Sequence, residues 1–506
     1  MLTNIMEGLG LACTGGSLLG LVVGVAGGMI VGALPGFSAT MGVALLLPLT
    51  FGMENIPAMI MLTAMYTAAV YGGSITAIMC HTPGTAASAA TAIDGYELTK
   101  KGRGLEAVGV STLASMIGGV VGAIALLFIA PALGAFSLKF AALEYFLVAA
   151  FGITIIGTLA GDNMAKGLFS GVLGLWLGCF GCDALTGVPR FTFGLMQLED
   201  GISTVPAMIG LFSISQVMML AYDARKGKKN VLDDPSKKMS GRLLPPWKEL
   251  KPCLPHILRS SILGTVIGIV PAAGGGIASW TGYSIGRSTT KHPEEYGNGS
   301  FEGVAASEAG NNAAAGGALI PMFTLGIPGS SVAAVLLGGL MIHGIVPGAS
   351  LFTKNGPMIY AILIGYLLSN ILMAIFGFAC SKWVAKLTVL PIAIMAPMIV
   401  ALCAVGSFAI RKSFFDVILM VIFGILGFMM RKAGFATAPM VLGLILSDTL
   451  ESYFRRALIL ARGDLWSYFL SRPISIVLAL AIIVSFMLPW FTKIYKRNKE
   501  KKSAAN

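Results

Sequence analysis

Two adjacent amides, Asn311 and Asn312, stand in Glu308-Ala309-Gly310-Asn311-Asn312-Ala313-Ala314-Ala315-Gly316-Gly317, a stretch otherwise made of small residues that leads directly into Gly326-Ile327-Pro328-Gly329-Ser330-Ser331. An amide offers donors and an acceptor together, so beside a chain break it suits an anionic ligand or a cation; tying helices together is its plainer role. Three further breaks share the proline and small-residue chemistry: Leu34-Pro35-Gly36-Phe37-Ser38-Ala39-Thr40, Thr82-Pro83-Gly84-Thr85-Ala86-Ala87-Ser88 and Val270-Pro271-Ala272-Ala273-Gly274-Gly275-Gly276. Proline removes a donor and glycine permits backbone geometry closed to other residues, so one helix stops and the next begins with free N–H groups. Those groups and the positive end of the helix dipole favour an anion.

The residues expected to contact an anionic substrate are therefore Pro35, Gly36, Ser38 and Thr40; Thr82, Pro83, Gly84, Thr85 and Ser88; Gly274, Gly275 and Gly276; Asn311 and Asn312; and Pro328, Gly329, Ser330 and Ser331. Carbonyls freed at the breaks suit a hard cation such as sodium, expected near Gly36, Gly84, Asn311 and Gly329. Glu308 is costly to bury and is expected near the aqueous edge. None of the four breaks contains Lys or Arg, so backbone, hydroxyls and a co-bound cation would have to neutralise the anion; the basic candidates nearest in kind are Arg287, at an exit, and Lys166 beside Asp162 and Asn163.

Elements that position such breaks must lie in a membrane. Of 506 residues, 56% are hydrophobic and 11% charged, with a mean hydropathy of +0.83, which leaves too little polar surface for a soluble domain. Apolar runs long enough to cross a bilayer fall at about 11–34, 57–79, 105–133, 141–160, 166–182, 205–222, 257–271, 303–323, 357–386, 388–408, 414–430, 434–447 and 473–491. The fold class expected is all-α and polytopic, with about 10–13 spanning or re-entrant helices.

The breaks also repeat. Pro35 and Pro271 stand 236 residues apart, as do Gly32 and Gly268; Pro83 and Pro328 stand 245 apart, as do Gly72 and Gly317. A nine-residue insertion, expected within Arg287 to Gly299, accounts for the change. The organisation read from this is an N-terminal membrane repeat (1–222), a basic loop (223–256), a C-terminal membrane repeat (257–492) and a basic tail (493–506). Matching loops carry opposite bias: after the first break the first half has Gly52-Met53-Glu54-Asn55 with no positive charge and the second half has Arg287 and Lys291, whereas after the second break the first half has Lys100, Lys101 and Arg103 and the second half only Lys354. Inverted repeats produce that bias.

The formal charge of +12 resides in loops and does not imply nucleic acid. By the positive-inside rule the run from Asp223 to Lys251 and the tail from Lys493 to Lys502 are expected in the cytoplasm. No basic residue precedes Lys100, so the first helix is read as a retained anchor. The Walker phosphate loop and H-E-x-x-H are absent, the pair Cys179 and Cys182 lacks a second pair, and His81 reads as a structural histidine beside a bend, so neither an enzyme nor an organic cofactor is expected.

The stretch from Glu308 to Pro321, followed by Thr324-Leu325-Gly326-Ile327-Pro328-Gly329-Ser330, resembles the large membrane subunit of the tripartite tricarboxylate transporters, as do Ala33-Leu34-Pro35-Gly36, Tyr71-Gly72-Gly73-Ser74-Ile75 and Thr82-Pro83-Gly84-Thr85. The resemblance covers nearly the whole chain. It implies a bacterial inner-membrane permease that works with a small four-helix membrane subunit and a periplasmic solute-binding protein. It also implies import of citrate-like tricarboxylates or related carboxylates, driven by an ion gradient, with sodium or a proton as coupling ion. The competing readings are a single-component ion-coupled carboxylate carrier and, from other classes, a channel or a membrane-embedded enzyme.

Inversion is checked by accessibility labelling of Asn55→Cys and Ser288→Cys, which are expected to react from opposite sides of the membrane. Labelling of both from one side would require parallel repeats.

Overall fold

The computed structural model describes residues 2–34, 37–81, 84–159, 164–183, 186–226, 241–271, 274–387 and 392–484. Pro35, Gly36, Thr82, Pro83, Asp162, Asn163, Ala272, Ala273, the middle of the basic loop (227–240) and the basic tail lie outside the described residues. In chain order the helices are α1 (Leu2–Ala12), α2 (Gly15–Ala33), α3 (Ala39–Leu46), α4 (Asn55–Cys80), α5 (Ala89–Lys100), α6 (Gly104–Ser137), α7 (Ala142–Leu159), α8 (Met164–Gly178), α9 (Thr204–Ile209), α10 (Ser215–Arg225), α11 (Trp247–Leu250), α12 (Cys253–Ile269), α13 (Gly274–Thr289), α14 (Phe301–Leu325), α15 (Ser331–Ile342), α16 (Ala349–Lys354), α17 (Gly356–Leu387), α18 (Ile392–Arg411), α19 (Phe414–Lys432), α20 (Ala438–Leu460) and α21 (Leu465–Leu470). A two-residue β-ladder pairs Gly181–Cys182 with Pro189–Arg190.

Among the described residues, seven helical segments are long and apolar enough to cross a membrane, and six shorter apolar helices accompany them. The protein is thus an all-α polytopic membrane protein. The run expected to begin at residue 11 starts its membrane helix only at Gly15, because Thr14 caps α2 by accepting from the Ser17 N–H and ends α1 before it. The extra residues of the second half extend α13 to Thr289 and form the loop before Ser300, within the stretch expected from the repeat spacing.

The chain forms two compact units, residues 1–135 with 205–429 and residues 136–204 with 430–506, each drawing on both halves of the sequence. In the first unit α4 and α14 are buried almost end to end. Glycines at every fourth position of α2 let its backbone meet that of α4: a Cβ on Gly28 would lie 2.6 Å from Met65 O, and Gly24 and Gly32 face Met61 O and Ala69 O in the same way. Successive fourth residues share one helix face, so the stripe is continuous.

The second half repeats the packing at the sequence offsets. Gly264 and Gly268 on α12 face Gly310 O and Ala314 O on α14, and Gly317 faces Thr265 O as Gly72 faces Met29 O. The chain reversals match as well. The Gly84 N–H donates to Gly73 O at 3.2 Å and the Gly329 N–H to Ala318 O at 3.3 Å, while His81 (φ 54°) and Gly326 (φ 71°) each end their helix in the left-handed region.

The halves are inverted. Asn55, at the start of α4, donates through Nδ2 to His343 O beyond the end of α15 (3.1 Å), and His343 Nε2 meets Thr50 Oγ1 at 3.0 Å. Burial holds the His343 imidazole below its usual value, so it enters that bond as the neutral ring. At the other end, where α4 finishes and α14 begins, Lys101 Nζ donates to Asn298 O (2.5 Å), Arg103 pairs with Glu249 (2.7 Å), and Asp94 Oδ1 accepts the N–H groups of Gly297, Gly299 and Ser300. Equivalent helices therefore run in opposite directions, and Lys101 and Arg103 lie at the end where α14 begins.

Outside this core late helices of each half pack with helices of the other half. In the first unit α9 and α10, joined by a π-turn at Gly210–Ile214, pack on α18 and α19 through Gly210 against Met420 O and Gly424 against Ile214. In the second unit α20 packs on α7 and α8 through Gly174 against Met440 O and Gly443 against Gly171 O. There Arg190 forms a two-point pair with Glu451 (2.8 and 3.1 Å), and Arg455 joins Asp183 at 2.8 Å.

Two glycines on one helix separate packing from propensity. Gly28→Ala is expected to destabilise by about 1–3 kcal/mol through overpacking, whereas Gly27→Ala, whose Cβ would have its nearest neighbour 3.8 Å away at Met65 Sδ, should be neutral or gain up to about 1 kcal/mol of helix propensity. Thermal unfolding of the purified variants in detergent measures both.

Candidate functional site

The four breaks pair crosswise in the first unit, the first break of each half with the second break of the other. Each begins a helix with short polar or glycine residues. Ser38 caps α3 by accepting from the Met41 N–H (3.2 Å), Ser330 caps α15 by accepting from the Ala333 N–H (3.1 Å), and Thr85 and Ser88 cap each other before α5, with the Thr85 N–H on Ser88 Oγ (3.2 Å) and the Ser88 N–H on Thr85 Oγ1 (3.3 Å). The hydroxyls expected to contact a ligand therefore also use lone pairs to finish their helices.

The constellation of Ser38, Thr40, Ser330 and Ser331 is closed by its own side chains. Thr40 Oγ1 and Ser331 Oγ share a hydrogen bond of 3.0 Å, and Tyr66 OH and Ser330 Oγ share one of 3.2 Å. Tyr66 was not among the residues expected here, because an aromatic inside an apolar run reads as core. Its position 245 residues before Asn311 is the signal that marks it.

The pseudo-equivalent constellation is open. Gly276 stands where the repeat has Thr40, Ala86 where it has Ser331, and Asn311 where it has Tyr66, so both closing hydroxyl contacts are deleted by sequence. Asn311 is 2% exposed, and among the described residues its Nδ2 has no hydrogen-bond partner. Its Oδ1 lies so close to Gly275 that a Cβ there would overlap it, and Ala87 of the facing break would lie 3.4 Å from the same Cβ. A buried amide donor left open beside a helix that starts with three glycines can take an anionic oxygen, since an unsatisfied buried donor costs about 1–3 kcal/mol.

Asn312 points elsewhere: Nδ2 donates to Ser115 Oγ (2.9 Å) and Glu308 O (3.2 Å). Pro328 and Gly329 are buried in the reversal itself, where a Cβ on Gly329 would meet Ala318 Cα at 2.6 Å, so they shape the break more than they present groups. Glu308 corrects the expectation of an aqueous edge: it is 0% exposed. Ser74, Thr91, Ser111 and Ser115, which surround it, come from three other helices and carried no local motif. Arg287 is exposed in the last turn of α13, and Lys166 belongs to the second unit, where Nζ donates to Ala433 O at 2.6 Å. His81 packs at a tilt against Tyr96 with ring centroids 4.7 Å apart, Cys179 donates to Leu175 O, and no cluster of metal-ligating side chains occurs among the described residues.

Inverted repeats with broken helices facing one another define the architecture of a secondary transporter. The chain belongs to the tripartite tricarboxylate transporter TctA family, whose pattern it matches over residues 18–442. It is 36% identical over 497 residues, 97% of each chain, to an uncharacterized 52.8 kDa protein in the TAR-I ttuC' 3' region of Agrobacterium vitis. A second protein of that organism, from the TAR-II ttuC' 3' region, is 35% identical over 230 residues, 45% of this chain and 94% of its own. No solved structure matches.

Adjacent glycines test the open constellation. Gly275→Ala should displace the Asn311 amide and lower the unfolding temperature, whereas Gly276→Ala, with nothing within 4 Å of its Cβ, should leave that temperature unchanged. Thermal unfolding in detergent reads the difference, and equal losses would show that no space exists beside Gly276.

Proposed function

We propose that this chain is the permease subunit of a binding-protein-dependent secondary transporter that imports tricarboxylates, citrate or its relatives, down a cation gradient with sodium as the coupling ion. The observation that carries the reading is the open constellation at Asn311 and Gly274–Gly276, where a buried amide whose Nδ2 has no partner among the described residues lies against the first turn of a helix. A carboxylate is the chemical class such groups accept: planar, anionic, and bound through donors without buried arginine. Membership of a tripartite family supports two further components, a small four-helix membrane subunit and a periplasmic solute-binding protein. The basic end of the first unit, with Lys101 and Arg103, then faces the cytoplasm of a bacterial inner membrane.

The closed and open constellations supply the two sides of an alternating-access cycle. The capped hydroxyl pairs of Thr40 with Ser331 and Tyr66 with Ser330 hold one face together while the other takes solute. Exchange between the faces needs only that breaks belonging to opposite halves part and meet again.

Uptake of labelled citrate into vesicles containing the chain and both partners tests this reading. Asn311→Ala should lower kcat/KM roughly tenfold or more, the scale of about 1–3 kcal/mol for one buried polar contact, with membrane insertion intact. Saturable uptake that is unchanged by this substitution would remove the site, and absence of uptake across a panel of di- and tricarboxylates would remove the substrate class.

A further inference from the structure

Glu308 is an acid in the interior of the first unit with no base beside it. Among the described residues no cation pairs with it; its Oε1 accepts from Thr91 Oγ1 (2.5 Å) and its Oε2 from Ser115 Oγ (3.0 Å). Four helices converge there, with Ser74 from α4, Thr91 from α5, Ser111 and Ser115 from α6, and Glu308 and Asn312 from α14, every one of these side chains 0–1% exposed. Burying an ionised carboxylate without a counter-charge is among the costliest arrangements a protein can adopt. A proton or a metal cation must neutralise it.

The surrounding oxygens distinguish the two. The hydroxyls of Ser74 and Ser111 also act on the carboxylate, and among the described residues Asn312 Oδ1 has no partner, its Nδ2 being spent on Ser115 and the Glu308 carbonyl. A proton would turn one carboxylate oxygen into a donor, which needs a single acceptor beside it. A hard cation takes several oxygens at once, hydroxyl, amide and carboxylate together. One carboxylate supplies one negative charge, which matches a monovalent ion. The titratable neighbour that senses Glu308 is Tyr71, whose hydroxyl is already bonded to Thr112 Oγ1 at 2.6 Å.

The site is also unique to one half. The position 245 residues before Glu308 is Thr63, whose hydroxyl donates to Met59 O and Ile60 O on its own helix. The repeat therefore places a carboxylate here in one half alone, on the same helix as Asn311 and less than one turn from it.

We propose that Glu308, with the oxygens of Ser74, Thr91, Ser111, Ser115 and Asn312, binds one sodium ion inside the first unit. This deepens the transport reading, on which its role in coupling rests, and moves the cation from the breaks themselves to the helix that carries Asn311. Binding at Glu308 would brace α4, α5, α6 and α14 around the open constellation, so occupancy by the ion and readiness for the carboxylate share one helix.

Binding of radioactive sodium to the purified full-length chain in detergent tests the proposal, together with thermal unfolding in sodium, potassium and choline chloride. Sodium should bind and raise the unfolding temperature with concentration, whereas potassium and choline should not. Glu308→Gln should abolish binding. Ser111→Ala removes one ligand hydroxyl and keeps the carboxylate, and should weaken binding roughly tenfold. Sodium binding unaltered in both variants would overturn the site, and stabilisation of the wild type by acid in place of sodium would show a protonated carboxyl and overturn it equally. The assay needs neither carboxylate nor partner subunits. A sodium response without citrate uptake counts against the transport reading alone, and uptake without a sodium response counts against this site alone.

Discussion

Close approach of helix backbones governs this structure. Where Gly24, Gly28 and Gly32 face carbonyls of α4, and Gly264 and Gly268 those of α14, no side chain intervenes between helices. Lipid tails are as apolar as leucine, so helices in a bilayer gain by packing and not by hiding apolar surface from water. Glycine stripes supply that packing twice, at the same offsets, and bring α4 and α14 into an interior where they no longer need an apolar surface of their own. The breaks that follow α2 and α12 are positioned by the same contacts, since Gly72 and Gly317 lock the returning helix against the residues that precede each break.

Freedom from lipid explains the chemistry of α14. It is not among the segments apolar enough to cross a membrane by composition, yet it is buried along nearly its whole length and carries Glu308, Asn311 and Asn312. Its counterpart α4 carries Thr63, Tyr66 and Thr67 at those positions. The scaffold is symmetric and the polar content is not, so the two crosswise constellations differ in kind: hydroxyl pairs close one, and glycine with a bare amide leaves the other open.

Much of this was legible before any coordinates. Proline and glycine mark breaks by local geometry alone, so the repeat, its offsets, the insertion before Ser300 and the inversion carried by Lys100, Arg103 and Arg287 could be read directly. Asn311 stood out in the sequence as an amide among small residues beside a break, and its burial is what the structure adds. Glu308 was misplaced at an aqueous edge because its partners, Ser74, Thr91, Ser111 and Ser115, lie on three helices distant in sequence, and hydroxyls in apolar runs have no pattern that points to a common centre. Tyr66 was hidden for a related reason: its meaning lies in its offset from Asn311. Hydropathy placed α7, α8, α10, α18, α19 and α20 along the chain but says nothing of neighbours, so the pairing of each half's late helices with the other half could not be read.

That exchange of late helices bears on how the protein is made. Helices α7 and α8 enter the bilayer early, but α20, the helix that fills the glycine surface at Gly174, is synthesised only after a further 260 residues or so, which at ribosomal rates takes on the order of 10–50 s. During that interval α7 and α8 hold an unfilled face toward lipid, while the first unit assembles from chain emerging behind them. Each compact unit draws on both halves of the sequence, so cutting the chain between the repeats would divide both units at once.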